Sequence, residues 1–231
     1  MPMQNSIRVT PINPLVRYRA TFFPPNYNLV KQDVGIALAT KITEVFHLRS
    51  STLIFNQNNM SAQYLSFRYV YPTEPMRYFD VSIGIDQAEL LFFSPATAAE
   101  LKEGVLKVWE PLLEKSKPNI TENYFEATFH SVAEDSADVN SFLDRFVKIQ
   151  TARTDFYKGF SLTVNHPEVM GEARMTIERS NANAAGLYLA FAAVSKNKVK
   201  DINSLASLID NAISIYRDIQ GLAQIEVAEP E

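Results

Sequence analysis

Apolar and polar residues alternate in several short stretches of the chain, a pattern that predicts strands with one buried face. In residues 16–22 every second side chain is apolar or small, and residues 65–71 and 79–85 repeat the pattern. The Pro-Thr-Glu-Pro segment at 72–75 indicates a hairpin connection between the last two strands. Shorter runs that also predict strands are residues 53–55 and 90–93.

Other stretches of the first half repeat their apolar residues at intervals of three and four, the spacing of a helix with one buried face. Residues 31–48 predict one such helix. A second begins near Thr97, which has the spacing of a capping box with Glu100, and Pro111 is expected to kink or shorten that helix.

The second half of the sequence follows the same order. Asp138 is expected to cap a short helix, and residues 186–194, apolar on both faces, predict a central strand. Asp201 is expected to cap the final helix and Gly221 to end it, with the acidic tail at 226–231 frayed. The other predicted strands of this half are residues 123–129, 160–164 and 173–177.

These elements predict an α+β fold: an antiparallel sheet with helices packed on one face. Two pseudo-repeated β-α-β(3-4)-α halves are expected, residues 1–118 and residues 119–231 with the acidic tail. Ala-Thr-Phe occurs in the first strand of each half, at 20–22 and at 127–129, which favours an internal duplication. The halves are expected to share one sheet in one compact unit.

The order of elements carries two resemblances. Each half resembles the strand–helix–strands–helix unit of the saddle-shaped TATA-box-binding fold and of the helix-grip fold. Pro14-Leu15-Val16, Trp109, Phe142 and the final helix resemble a sporadically distributed, uncharacterised bacterial family of similar length. That resemblance implies a bacterial origin and the order of elements, and it implies no activity and no site residue.

Composition excludes several classes of chemistry. The 231 residues include no cysteine, so disulfide scaffolds, thiolate catalysis and Cys-ligated zinc are excluded. No apolar run approaches the roughly 18 residues of a membrane span, and the N-terminus lacks the pattern of a signal peptide. We therefore expect a cytoplasmic protein that does not engage a membrane.

The formal net charge of −4 is unevenly distributed. Residues 1–80 contain eight basic and four acidic side chains, a net charge of +4, which leaves −8 on residues 81–231. This asymmetry suggests a molecule with two kinds of charged face.

Arginines and tyrosines interleave in the first-half strands. Arg17, Arg19, Arg68 and Arg77 are the candidate binding residues, because arginine beside exposed aromatic rings can stack on bases and neutralise phosphates. The sequence pI near 5.5 and Glu126 in the equivalent strand of the second half count against nucleic acid. The alternative is that these arginines solvate an exposed sheet face or pair with acidic groups.

Catalytic motifs are scarce. His130, followed by Glu134, Asp135 and Asp138, is a weak candidate for acid–base chemistry or for binding a hard cation. The alternative is that these carboxylates belong to a solvated loop ending in a helix cap. No zinc-binding histidine spacing, nucleophile elbow or glycine-rich phosphate loop occurs, so no metal and no cofactor is predicted. An enzyme is left open and not favoured.

Three functions remain. The favoured one is a non-enzymatic interaction or adaptor protein, with a protein partner or self-association into a homodimer through the sheet face or its edges. The second is a small-molecule or lipid-binding protein, with a cavity lined by Phe and Tyr if the sheet curls over the C-terminal helix. The third is nucleic-acid binding through the Arg/Tyr face.

Overall fold

The alternating stretches form strands and the stretches of helical spacing form helices. The structure is a computed structural model that describes residues 6–49, 52–134, 139–147, 158–166 and 171–228. The strands are β1 (Ile7–Phe22), β2 (Ile54–Phe55), β3 (Leu65–Tyr71), β4 (Glu74–Ile83), β5 (Gln87–Phe93), β6 (Ile120–Ala133), β7 (Gly159–His166), β8 (Gly171–Arg179), β9 (Leu187–Ser195) and β10 (Ile225–Val227). The helices are α1 (Gln32–Phe46), α2 (Met60–Gln63), α3 (Ala98–Ser116), α4 (Val139–Asp144) and α5 (Ile202–Leu222), with a 3₁₀ turn at Gln57–Asn59.

All these strands belong to one sheet, in the order β2-β3-β4-β5-β1-β6-β9-β8-β7. Neighbours along this path are antiparallel, and β10 adds to β1 in parallel. The α+β fold class and the largely antiparallel sheet are therefore confirmed. Outward from the central pair, β1 is followed by β5, β4 and β3, and β6 by β9, β8 and β7. The internal duplication stays a prediction.

The helices pack on one face of the sheet, and the core lies between them and the strands. Even-numbered residues of β1 from Tyr18 onward and odd-numbered residues of β9 are buried there, while their neighbours face the other way. Ring contacts across this layer place α3, α5 and α1 on the same face: Tyr18–Trp109 at 4.9 Å, Phe191–Tyr216 at 5.3 Å and Phe46–Phe67 at 5.6 Å between centroids.

The central pair of strands is interrupted by a β-bulge. The register of β1 against β6 shifts between Ile12 and Leu15, where Asn13 has a φ of 48°. One extra residue in β1 reverses the faces of the strand, because side chains alternate with a period of two. Odd-numbered residues of β1 are buried before the bulge and even-numbered residues after it.

Helix α3 corrects two expectations. Thr97 caps it as predicted, with its Oγ1 accepting from the Glu100 amide at 3.1 Å, but the capping box is not closed. The Glu100 carboxylate accepts instead from the Ala96 amide and from Arg77. Pro111 does not shorten the helix, which continues to Ser116, and the alternative of a kink stays a prediction. The tertiary contacts of α3 outweigh the cost of the backbone hydrogen bond that a proline removes.

The end of α5 also differs from expectation. Asp201 caps the helix, forming a closed capping box with Ser204. Gly221, however, lies inside the helix, and Gln224 is the residue that takes the left-handed conformation. The first residues of the predicted frayed tail, Glu226 and Val227, instead pair in β10 with the start of β1. The predicted cap Asp138 and the last residues, 229–231, lie outside the described residues.

Candidate functional site

Three of the four candidate arginines share the sheet face that the helices leave open. Arg17 and Arg19 alternate with the buried residues of β1, and Arg68 does so in β3. Arg77 lies in register with the buried residues of β4 and contacts Glu100 of α3, so it belongs to the opposite, helix-covered face. The four arginines therefore do not form one surface.

The arginines of β1 have local partners. Arg17 donates from Nη1 to Glu126 Oε2 at 2.8 Å and lies 3.6 Å from Glu89 Oε2. The Arg19 guanidinium lies 5.0 Å from the centre of the Tyr124 ring. Glu126, whose place in the second half counted against nucleic-acid binding, thus supplies the counter-charge of Arg17.

Arg68 is neutralised within its own hairpin. Its Nε and Nη2 donate to the two carboxylate oxygens of Asp80 at 2.6 and 2.8 Å, and its guanidinium lies 4.1 Å from the centre of the Tyr78 ring. The hydrogen bond to Asp80 raises the pKa of Arg68. Because the Arg68 donors are already directed at the Asp80 carboxylate, Arg68 is poorly arranged to bind a phosphate group.

Arg77 lies in an ion-pair cluster between the β3–β4 hairpin and α3, in which Arg77 and Glu100 are mostly buried and Glu74 is exposed. It donates to Glu74 at 2.7 Å, to the Ser94 carbonyl at 3.0 Å and to Glu100. The bond to Glu74, followed by the charge of Glu100, raises the pKa of Arg77. Burial, reinforced by the Glu100 carboxylate, raises the pKa of Tyr71 beside it.

His130 lies in β6 and contacts Ser180, in the turn after β8, rather than a carboxylate. Its Nδ1 lies 2.9 Å from Ser180 Oγ, which accepts from the amides of Ala182 and Asn183. Which of these two groups donates depends on the tautomer of His130, so the contact alone does not define an activated nucleophile. Ser180 is also buried, so it has no route to a substrate.

Glu134, the one acidic residue of this group that the structure describes, has partners other than His130. Glu134 accepts from Thr10 at 2.6 Å and pairs with Arg8 at 3.3 Å, while Asp135 and Asp138 lie outside the described residues. Among the residues that the structure describes, no group of three His, Asp or Glu side chains is arranged to hold a metal ion. In the same part of the chain, no helix is long and apolar enough to cross a membrane.

A cavity of about 770 Å³ lies between the centre of the sheet and the helices α3 and α5. Its floor includes Val16 of β1 and Ala127 of β6, which face each other across the central pair beside the bulge. Both stay partly exposed although they lie on the helix-covered face. The aromatic residues that surround this floor are Tyr18, Phe92, Phe125, Phe129, Phe191 and Tyr216.

The helices supply the opposite wall of the cavity. Leu101 and Val105 come from the first turns of α3, and Ile209 and Ile213 come from α5. These side chains follow the three-and-four spacing of each helix, so one apolar stripe both packs the core and lines the cavity. Near the start of α3 the cavity reaches the Arg77 cluster, and along the last turns of α5 it reaches Tyr216, Arg217 and Gln220.

No protein-family model, curated protein or solved structure matches the chain. The resemblances drawn from the order of elements stay predictions. Sequence reasoning named the cavity as an alternative but none of the α5 residues as candidates. The sequence gives little indication of these residues, because Tyr216 belongs to the same apolar stripe as the core residues of α5. Only the tertiary structure shows which residues of that stripe line the cavity and which pack in the core.

Proposed function

We propose that the protein binds a small, mainly apolar molecule in the cavity between the sheet and helices α3 and α5. The volume of about 770 Å³ carries this proposal, since ligand pockets measure roughly 300–1,000 Å³ and are lined mainly by apolar and aromatic side chains with a few polar groups. The lining of Phe, Tyr, Leu, Ile and Val side chains fits that description.

The partial exposure of the lining also supports a ligand. Val16, Leu101, Ile213 and Tyr216 pack against the core yet remain partly accessible through the cavity. Apolar surface left in contact with water costs about 25 cal/mol per Å². A bound apolar molecule would cover this surface, and that gain is the driving force for binding.

The other two functions have weaker support. Arg17, Arg68 and Arg77 each have a carboxylate partner, which leaves little free positive charge for nucleic acid. An interaction or adaptor role stays a prediction. Ile54 and Phe55 are exposed at the β2 edge, but these side chains do not specify a partner.

The single tryptophan provides the experiment. Trp109 is buried and packs on Tyr18, which lines the cavity. Titration with the neutral fluorophore N-phenylnaphthylamine should give saturable energy transfer from Trp109, with one molecule bound per chain. Dodecanoate or dodecanol should then displace the fluorophore. A signal that rises linearly without saturation, or that does not respond to either competitor, would overturn the proposal.

A further inference from the structure

Among the described residues, one side chain on the last turns of α5 lacks the hydrogen-bond partner that its burial calls for, and a second lies beside it on the cavity wall. Tyr216 and Gln220 are four residues apart, so they lie on one side of the helix, and both line the cavity. The Gln220 Nε2 atom is buried and donates to no acceptor in the part of the chain that the structure describes. Because a buried donor without an acceptor is unfavourable, an oxygen atom supplied by the ligand would satisfy it.

Tyr216 is held in place by packing rather than by hydrogen bonding. Its ring stands edge-on to Phe191, at 5.3 Å between centroids and 75° between planes, and burial raises the pKa of its hydroxyl. The hydroxyl therefore stays protonated and able to donate. Across residues 6–49, 52–134, 139–147, 158–166 and 171–228, no acceptor engages it.

Arg217 adds a charge at the same end of the cavity. It lines the cavity and is exposed, and among the described residues no carboxylate lies within 4 Å of its guanidinium. It differs in this respect from Arg17 and Arg77, which each have two carboxylates close by. Arg217 is thus a cation at the cavity that is available to an anionic ligand group.

The opposite end of the cavity is unsuited to an anion. Arg77 is shared there between Glu74 and Glu100, and the Glu100 carboxylate also accepts from the Ala96 amide before α3. A ligand carboxylate at this end would be repelled by Glu74 and Glu100, and Arg77 already donates to both of them. The cavity therefore runs from an acidic end, where Glu100 Oε1 has no hydrogen-bond partner among the described residues, to an end with donors on α5.

Resting on the proposed function, we infer that the ligand is an amphipathic monocarboxylate, a fatty acid or an acid of similar shape. Its carboxylate lies against Tyr216, Arg217 and Gln220, and its apolar body fills the cavity. The negative end of the α5 dipole opposes an anion at this place, but charge-assisted hydrogen bonds from three side chains are stronger than that partial charge. The carboxylate oxygens provide acceptors for the donors of Tyr216 and Gln220.

Competition against N-phenylnaphthylamine tests the inference with three probes of equal chain length: dodecanoate, dodecanol and dodecylamine. Dodecanoate should bind about tenfold or more tightly than dodecanol, and dodecylamine most weakly. Arg217→Gln should remove most of the preference for dodecanoate over dodecanol. Tyr216→Phe and Gln220→Leu should each lower the affinity for dodecanoate severalfold more than they lower the affinity for N-phenylnaphthylamine.

Lys107→Gln is the matched control, because Lys107 is a helical cation that pairs with Glu103 and does not line the cavity. It should leave all three affinities unchanged, and circular dichroism and thermal unfolding confirm that each variant is folded. Equal binding of the three probes, or a dodecanoate preference that survives Arg217→Gln, would overturn the carboxylate assignment while leaving the cavity function intact. Failure of every probe, including the fluorophore, would overturn both.

Discussion

Val16 of β1 and Ala127 of β6 are paired at the centre of the sheet and face the helices, yet neither is fully covered by them. On either side of Ala127 along β6, Phe125 and Phe129 are buried. A methyl group thus stands between two aromatic side chains, at the place where the cavity reaches the sheet. The small size of Ala127 is what leaves this space open.

Filling that space should block the cavity. Ala127→Phe should lower the affinity for N-phenylnaphthylamine at least about tenfold, because an added phenyl ring occupies the volume that the ligand needs. The free energy of unfolding should change little, since the new ring enters existing space. Fluorescence titration and urea unfolding measure the two effects.

Ala190→Phe is the matched control, because Ala190 lies in the neighbouring strand β9 on the face that the helices leave open. It should bind the fluorophore as the wild type does. Ligand affinity unchanged in Ala127→Phe, with the protein folded, would contradict the assigned position of the ligand.

The Arg77–Glu100 pair should contribute far more to stability than the Arg68–Asp80 pair. The Arg77 and Glu100 side chains are 16% and 17% exposed, against 53% and 33% for Arg68 and Asp80. Arg77→Ala leaves a mostly buried carboxylate without its main partner, which should cost about 3–5 kcal/mol of unfolding free energy. Arg68→Ala should cost at most about 1 kcal/mol. Urea unfolding of both variants that gave equal losses would contradict this assignment.

Two glycines should respond to alanine in opposite directions. A Cβ on Gly186 would lie 1.6 Å from the Ser131 carbonyl oxygen, so Gly186→Ala should lower the unfolding free energy by at least about 2 kcal/mol. A Cβ on Gly221 would meet no atom within 4 Å, and Gly221 lies inside α5, so Gly221→Ala should raise it by about 0.5–1 kcal/mol. Thermal unfolding measures both. Destabilisation by Gly221→Ala would show that this residue needs a glycine conformation after all.

Periodicity predicts most of the fold because it records which side chains meet the core. The alternation in 65–71 and the Asp201 cap appear in the structure where the sequence places them. Element ends are predicted less well, because tertiary contacts decide them. Packing of α3 accommodates Pro111 inside the helix. The first residues of the predicted frayed tail, Glu226 and Val227, pair with the edge of β1 beside them.

The site is predicted less well than the fold. Arg17 and Arg77 look alike in sequence, but the face each takes depends on strand register, which places them on opposite sides of the sheet. The cavity depends on a gap between two helices, and no local pattern encodes such a gap. The donors on α5 become apparent only once Gln220 is seen to lack an acceptor within the described chain.

The Tyr18 hydroxyl should make the stability of the core depend on pH in the alkaline range. It donates to Asn123 Oδ1 at 2.8 Å, and Asn123 is completely buried. At about pH 8, Tyr18→Phe should lower the unfolding free energy by about 1–3 kcal/mol, because Asn123 loses its donor. Urea unfolding measures this difference.

The difference in unfolding free energy between the wild type and Tyr18→Phe should become smaller as the pH rises. Burial raises the pKa of Tyr18 far above its ordinary value of 10.0, so near pH 11 the phenol ionises in the unfolded chain but not in the folded one. The stability that this shift contributes is fully present below pH 10 and is lost above it, by about 1.4 kcal/mol at pH 11. A phenylalanine ring has no proton to lose, so the Tyr18→Phe variant should approach the wild type by about that amount. Tyr27→Phe, at an exposed position, is the control. A constant difference from pH 8 to pH 11 would show that the Tyr18 phenol is not held neutral by the fold.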